Sequence, residues 1–356
     1  MGDDITTSHG LTIGLDLGDK HTVGCVLSPS GEVLETFSVA TTMSALGRMM
    51  SGFKPSRVVL EVGTHSPWVS RLVEQAGHEV IIANPRRVRL IAENDSKTDE
   101  VDAELLARLG RVDPGLLKPI VHRGERAQHD RILLLARDGL VRSRTQLVNQ
   151  VRGFAKSLGH RMPSSSTEAF PRRVREQFSK DLFPGQSVML EMIDRLTQEI
   201  RRMDREAEKL CKDRYPETGV LRQVKGVGAL TALGFVLTLE DPSRFAKSRT
   251  VGAYLGLRPR SRQSGEQQPQ LRITKAGDEL LRRYLVGAAH YILGPFGPDT
   301  ELRRFGLKLA ERGGKAAKKR AAVAVARKLS VLLHRLWVTG EEYQAIGYGQ
   351  STQEAA

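Results

Sequence analysis

The sequence predicts a mixed α/β domain followed by a mainly helical remainder. Three observations carry that prediction. Residues 11–112 read as strands and helices in the order β-β-β-α-β-α-β-α. Residues from about 124 to 214 interleave apolar and charged side chains at helical spacing. From about 217 to 340 the chain reads as shorter helices separated by Gly, Pro and polar turns. Three antiparallel strands leading into βα units make a mixed five-stranded sheet with helices packed on its faces. Sheet strands alternate or run apolar, whereas amphipathic helices repeat near 3.6 residues.

Each element has its own punctuation. "LTIGLDLG" and "TVGCVLS" are apolar and β-branched, "SPSGEV" supplies the turn of a hairpin, and "VLETFSV" alternates. "TMSALGRMMSGF" is helical, and "RVVLEVG" is a buried strand. "SPWVSRLVEQAG" is a helix with Ser66 and Pro67 at its start and Gly77 at its end. "HEVIIANP" is the fifth strand, and a helical stretch runs from about 87 through 112. Two long helices follow. The first carries Ile132, Leu135, Leu140, Leu147, Val151 and Phe154, and the second Met189, Met192, Ile193, Leu196 and Ile200. The Pro/Ser-rich link "MPSSSTEAFP" between them predicts an antiparallel helical arm, either a coiled coil or an ordinary bundle. "LRQVKGVGALTALGFVLTL" has the form of a helix-hairpin-helix turn, whose backbone N–H groups suit a phosphate. A short helix ("SRTVGAYLGL"), a polar loop over about 258–271 and three helices to about 340 complete the chain. The expected boundaries are a tail 1–9, the α/β domain 10–123, the arm 124–214, a C-terminal domain 215–343 and a tail 344–356.

The chain has 356 residues with 55 Lys and Arg against 41 Asp and Glu, a net charge of +14. A balance of that size favours a polyanionic partner, nucleic acid first. The charge is clustered: Arg86, Arg87 and Arg89; Arg258, Arg260 and Arg262; Lys315, Lys318, Lys319, Arg320, Arg327 and Lys328. Aromatic residues are only 5%, so phosphate contact rather than a broad stacking platform is expected. No apolar run reaches membrane-spanning length and no secretory leader is visible, so a cytoplasmic protein is expected. Cys25 and Cys211 stand alone, which fits a reducing compartment.

Four carboxylates stand out. Asp16 lies in the middle of the first strand and Glu61 near the end of the fourth, where a charge is costly unless compensated. Asp99 and Asp102 open the helix of "SKTDEVDAELLARLGRV", three residues apart on one face. Helix capping by Thr98 and the helix dipole account for one or two acids there. If the first and fourth strands are neighbours, Asp16 and Glu61 lie side by side, and the helix bearing Asp99 and Asp102 can close over the same end. Four such acids provide oxygen ligands for a hard dication, Mg²⁺ with Mn²⁺ as a substitute. That is the constellation used in two-metal phosphoryl transfer.

The strand Asp, the Glu of "LEVGTHSPW", "ANPRRVR" and "KTDEVDA" resemble the DEDD transposases of bacterial insertion sequences. "VKGVGALTA", "RFAKSRTVGAYLGLRPR", "QSGE", "RITKAGDELLRRYLVGAA" and "GEEY" resemble that family's C-terminal domain, so the likeness covers roughly residues 11–343. The resemblance implies an N-terminal RuvC-like, RNase H-type domain and a recombinase of the IS-one-ten group guided by a structured bridge RNA. It implies a serine nucleophile that forms a transient phosphoserine link to DNA, with Mg²⁺ held by Asp16, Glu61, Asp99 and Asp102. The serine falls on Ser264, and Ser261 is a neighbouring candidate. Gly265 lets a backbone approach closely, and Arg258, Arg260 and Arg262 are placed to stabilise phosphorane charge. Two departures stand out: Lys225 takes the place of a Pro before the "GVG" turn, and Glu266 the place of a second Gly after the serine. The expected nucleic-acid contacts are Arg86, Arg87, Lys225, Arg258, Arg260, Arg262, Lys275, Lys315, Lys318, Lys319 and Arg320. The expected partners are donor and target DNA, the guide RNA and further copies of the chain, as a dimer or tetramer.

Two rival readings remain. "IGLDLGDKHTVGCVLSPSGEVLE" is similar to the first phosphate loop of sugar kinases of the actin and hexokinase superfamily, which need a second sheet domain with further Gly-rich loops. The other rival is a non-catalytic RNA-binding scaffold that keeps the fold.

Overall fold

The computed structural model describes residues 10–85, 98–178, 184–260 and 271–346. The chain divides into two compact units, Met1–Arg123 and Gly124–Ala356.

In the first unit five strands form one sheet: β1 (Thr12–Leu17), β2 (His21–Leu27), β3 (Val33–Ala40), β4 (Arg57–Glu61) and β5 (Glu79–Ala83). Their spatial order is β3-β2-β1-β4-β5, with β1 antiparallel to β2 and parallel to β4. The mixed five-stranded sheet expected from the sequence is therefore formed, with the first and fourth strands adjacent. Helices α1 (Met43–Ser51) and α2 (Ser66–Gln75) cover one face, where Ile13, Leu15, Val58 and Leu60 pack with Leu46, Met50, Val69 and Val73. Helix α3 (Asp99–Val112) covers the other, where Val59 and Ile81 meet Leu106, and Cys25 and Leu27 meet Ala103 and Ala107.

Small residues bring α3 very close to the sheet. A Cβ on Gly14 would lie 2.0 Å from the Ala103 carbonyl oxygen, and one on Gly110 would lie 2.2 Å from Val59 Cγ2. Arg57 Nη1 donates to the Gly110 carbonyl at 3.1 Å. These contacts fix the direction of the helix. Its C-terminal end lies over the start of β4, so its N-terminal end lies toward the carboxyl ends of β1 and β4. The helical stretch expected from about 87 is seen from Asp99; residues 86–97 lie outside the described residues.

The second unit is helical: α4 (Glu125–Ser157), α5 (Phe170–Phe178), α6 (Pro184–Asp213), α7 (Thr218–Leu221), α8 (Ala229–Leu239), α9 (Val251–Tyr254), α10 (Glu279–Leu293), α11 (Glu301–Ala310) and α12 (Gly314–Thr339). Helices α4 and α6 run antiparallel, because Arg137 pairs with Asp204 while Arg144, further along, bonds Thr197. The buried face of α4 differs from the expected one. Ala127, Leu134, Asp138, Arg144, Val148, Val151 and Ala155 are buried, whereas Ile132, Leu135 and Phe154 are exposed. The physical reason is that polar groups take inward positions where partners await them: Asp138 meets Arg283, and Arg144 meets Thr197. A stripe traced through apolar residues alone is rotated off the true face. In α6, Leu190, Ile193, Thr197 and Ile200 face inward in steps of three and four, while Met192 is exposed. The Pro/Ser-rich link also contributes a helix the sequence reading left out, α5, whose Phe170 and Val174 are fully buried against Val148, Leu190 and Ile193.

The roots of α4 and α6 share a core with α8 and α10 through Leu134, Ala207, Leu233, Leu237 and Leu280. A larger core joins α8, α10 and α12 through Phe235, Leu285, Leu329 and Leu333. Ala345, in the segment read as a tail, accepts a backbone hydrogen bond from Glu301 at the start of α11. Among the described residues no helix is long and apolar enough to cross a membrane.

Candidate active site and nucleic-acid interface

The β1–β4 register runs to Leu15 beside Leu60, so Asp16 and Glu61 follow one residue later on adjacent parallel strands. Their faces are set by period-two alternation. Ile13, Leu15, Val58 and Leu60 point to the α1/α2 side, and Gly14 and Val59 to the α3 side. Asp16 and Glu61 therefore share the α3 face, at the end of the sheet toward which the N-terminus of α3 points. Both are half-buried.

Thr98 caps α3 as expected, its hydroxyl accepting from the Val101 N–H at 3.3 Å. Asp99, Glu100 and Asp102 fill the first turn, where the helix dipole favours negative charge. Asp102 is half-buried next to the inward Ala103, and Asp99 is exposed one turn before it. The four expected acids thus come to one face and one end of the first unit. They are not gathered into a ligating cluster: among the described residues no three His, Cys, Asp or Glu side chains stand close enough to hold a metal ion. The donor chemistry, all carboxylate oxygen, suits a hard dication.

The turn after Glu61 is clamped. The buried Ser66 hydroxyl accepts from the Gly63 N–H at 2.9 Å and lies 2.8 Å from His122 Nε2. Burial, followed by the charges of Arg71 and Arg123, lowers the His122 pKa. His65 is held by the Trp68 indole N–H, which donates to Nδ1 at 3.1 Å. Its Nε2 lies 3.6 Å from Asp19.

Ser264 and Arg262 lie in the stretch 261–270 of the second unit, and Arg86 and Arg87 in 86–97 of the first, all outside the described residues. The two described ends flanking 261–270 are pinned together. Pro259 bridges Ile273, Arg260 N donates to Arg272 O, and Thr274 N donates to Arg258 O. Below them two glycines allow a backbone crossing: a Cβ on Gly256 would lie 2.4 Å from Ala276 N, and one on Gly277 would lie 2.1 Å from Tyr254 O. The buried Arg282 ties this crossing to α10 by donating to the Leu255 carbonyl at 3.2 Å.

Lys225 is exposed in the turn before α8, where Gly226 takes φ +98°. The segment before that turn holds only the four-residue α7, so the expected helix-hairpin-helix has a short first arm. Arg258, Arg260, Lys275, Lys315, Lys318, Lys319 and Arg320 are all exposed. Lys275, Lys319 and Arg320 line one groove of about 1300 Å³ bounded by α11, α12 and the 257–259 and 271–275 segments. Sequence reasoning missed Arg249, Arg272, Arg312 and Arg335 in the same lining, and did not assign Arg327 and Lys328 a role. The available signal was periodic: along α12 the pairs 319/320 and 327/328 and then Arg335 recur on one helical face.

Two family models match the chain. One, of the DEDD type of IS110 and described as "Transposase", matches residues 13–159. The other, "Transposase IS116/IS110/IS902 family", matches residues 219–300. The chain belongs to the IS110/IS116 transposase family. Transposase y4pF/y4sB of Sinorhizobium fredii is 29% identical over 84% of this chain and 77% of its own length. The transposase for insertion sequence element IS1111A of Coxiella burnetii is 27% identical over 93% of this chain and 91% of its own. That for insertion sequence element IS1328 of Yersinia enterocolitica is 28% identical over 68% and 73%. Membership in the IS110/IS116 family removes the sugar-kinase reading, and the helical second unit supplies no second sheet domain among its described residues. It likewise sets aside the non-catalytic scaffold, because transposases are enzymes of DNA cleavage and strand transfer. The mixed sheet with an acid-bearing helix on one face is consistent with the RNase H-like architecture of a DEDD transposase.

Proposed function

We propose that this transposase is a Mg²⁺-dependent, RNA-guided DNA recombinase using Ser264 as nucleophile. The observation that supports it most is the β1–β4 register, which sets Asp16 and Glu61 side by side on the face and at the end that α3 approaches with Asp99 and Asp102. These four acids would hold the metal, with Mn²⁺ as a substitute. When bound, such a cation supplies charge to offset the anion that builds on a phosphodiester in transfer.

The chain's own groups do the remaining work. Ser264 Oγ attacks phosphorus and the new O–P bond forms as the bond to the sugar oxygen breaks. The serine proton leaves and the sugar oxygen is protonated, so the DNA end is held as a phosphoserine until a second strand's hydroxyl reverses the step. Arg258 and Arg260, exposed at the pinned end of the serine segment, offset charge on the attacked phosphate. The Ser66–His122 clamp positions the turn that follows Glu61. Sequence choice comes from pairing with a structured guide RNA. Exchange between two DNA sites calls for at least two copies of the chain, a dimer or a tetramer.

The test is a denaturing gel of protein incubated with labelled DNA, Mg²⁺ and the RNA that co-purifies. The native chain gives a covalent protein–DNA adduct and Ser264→Ala does not; an adduct that persists in Ser264→Ala moves the nucleophile elsewhere. Sequencing of the co-purified nucleic acid yields one defined RNA, and a random cellular mixture would remove the guided reading.

A further inference from the structure

The groove on the second unit has a composition that duplex binding does not explain. Among the described residues its rim carries nine Lys and Arg side chains against one carboxylate, Glu301. Its floor is apolar, with Leu257, Leu302, Phe305, Leu309, Val323 and Val331. Phosphates on a duplex need only exposed cations, and a concave apolar floor adds nothing to them. A strand with unstacked bases satisfies both parts, because each base offers an apolar face and each phosphate a charge. Few uncharged polar side chains line the groove, Ser248 and Gln344 among them. Recognition there is by base faces and phosphates, and the choice of DNA follows from the reading of the chain as a DNA-cleaving enzyme. The volume of about 1300 Å³ exceeds the usual span of small-molecule sites, as a run of nucleotides requires. Pro259, Leu271 and Arg272 belong both to the groove and to the pinned ends of the serine segment.

We propose that this groove holds single-stranded DNA, with bases against the apolar floor and phosphates on the rim formed by Arg272, Lys319, Arg320, Arg327 and Lys328. The inference rests on the reading of the chain as a DNA-cleaving recombinase, in which opened strands arise beside the serine segment. The groove would receive one of them and keep it from re-pairing.

Binding is measured by fluorescence anisotropy on full-length Ser264→Ala protein in metal-free buffer, so that cleavage plays no part. The probes are a labelled 20-nucleotide DNA strand, its duplex, the RNA of the same sequence, and the same DNA strand with abasic sites at alternate positions. The intact DNA strand is expected to bind more tightly than duplex or RNA, and about tenfold more tightly than the abasic strand. The double substitution Lys319→Ala/Arg320→Ala on the exposed rim is expected to weaken binding of the strand at least fivefold (roughly two lost phosphate contacts) and to flatten its salt dependence. Equal affinity for intact and abasic strands, tighter binding of duplex or RNA, or no effect of the rim substitutions would overturn the proposal. The abasic comparison needs no altered protein, so it stands even if a variant misfolds. Groove binding lost while the native chain still forms its adduct sinks this inference alone; adduct chemistry absent while groove binding persists sinks the serine reading alone.

Discussion

At the scale of single residues, the first unit depends on side chains that are missing as much as on those present. Gly14 has no room for a Cβ beneath the Ala103 carbonyl. Gly14→Ala is expected to lift α3 from the sheet, lower stability by about 1–3 kcal/mol and reduce transposition, since the helix carries Asp99 and Asp102. Thermal unfolding and a recombination assay on the same sample check both. Asp16→Asn and Asp102→Asn keep the shape and remove charge, and are expected to leave the melting temperature within a few degrees while abolishing activity in Mg²⁺. Unchanged activity in both would remove the acids from the mechanism. Asp138 is a different kind of buried acid. Its two oxygens accept from Arg283 at 2.7 and 2.8 Å, and that bond, then the nearby arginines, lowers its pKa despite burial. A pKa lowered in the folded state adds stability above the unfolded value, about 3.9, and loses it as pH falls through the folded value. Acid unfolding of the wild-type chain is therefore expected to begin below about pH 4, and Asp138→Asn to flatten that part of the stability–pH curve, as followed by circular dichroism.

Among the elements, the α4–α6 pair shows how polar residues can sit on a packed face. Arg144 is buried, bonded to Thr197 at 3.1 Å and 3.6 Å from Glu168, yet its buried Nε has no hydrogen-bond partner among the described residues. Thr197 is satisfied independently, since its hydroxyl donates to the Ile193 carbonyl at 2.8 Å. Desolvating a guanidinium often costs more than an imperfect pair returns. Arg144→Met is thus expected to leave stability unchanged or raise it by about 1–2 kcal/mol, measured by denaturant unfolding. A loss of more than that would show that the Arg144 contacts outweigh its desolvation. The same pair explains which parts of the element reading succeeded. Helix existence, antiparallel pairing and the Thr98 cap were legible because they depend on local chemistry. The buried face of α4 was not, because Asp138 and Arg144 turn inward only where Arg283 and Thr197, far away in sequence, are there to receive them.

For the whole molecule, each unit has its own hydrophobic core, one built around the sheet and others among the helices. Such a chain is expected to unfold in more than one calorimetric transition rather than as a single two-state unit. The net charge of +14 and the rim of the groove lead to a second expectation. Affinity for nucleic acid should fall steeply between low and physiological salt, by orders of magnitude if six or more phosphates are contacted. A salt-independent affinity would argue that the basic surface serves another purpose.

The sequence by itself determined the element order of the first unit, the mixed sheet, the two strand acids, the acid-rich helix start and the basic character of the second unit. Each follows from local periodicity, punctuation or composition, which neighbouring residues impose on one another. Only the tertiary structure decided that Asp16 and Glu61 share the face covered by α3, since that needs the parallel pairing of strands separated by two other strands and a helix. It alone rotated the packed face of α4 and brought cations from residues 249, 272 and 312–335 around one apolar floor. Those outcomes depend on contacts between segments far apart in the chain, and the pairing energy that selects them appears only when the segments meet.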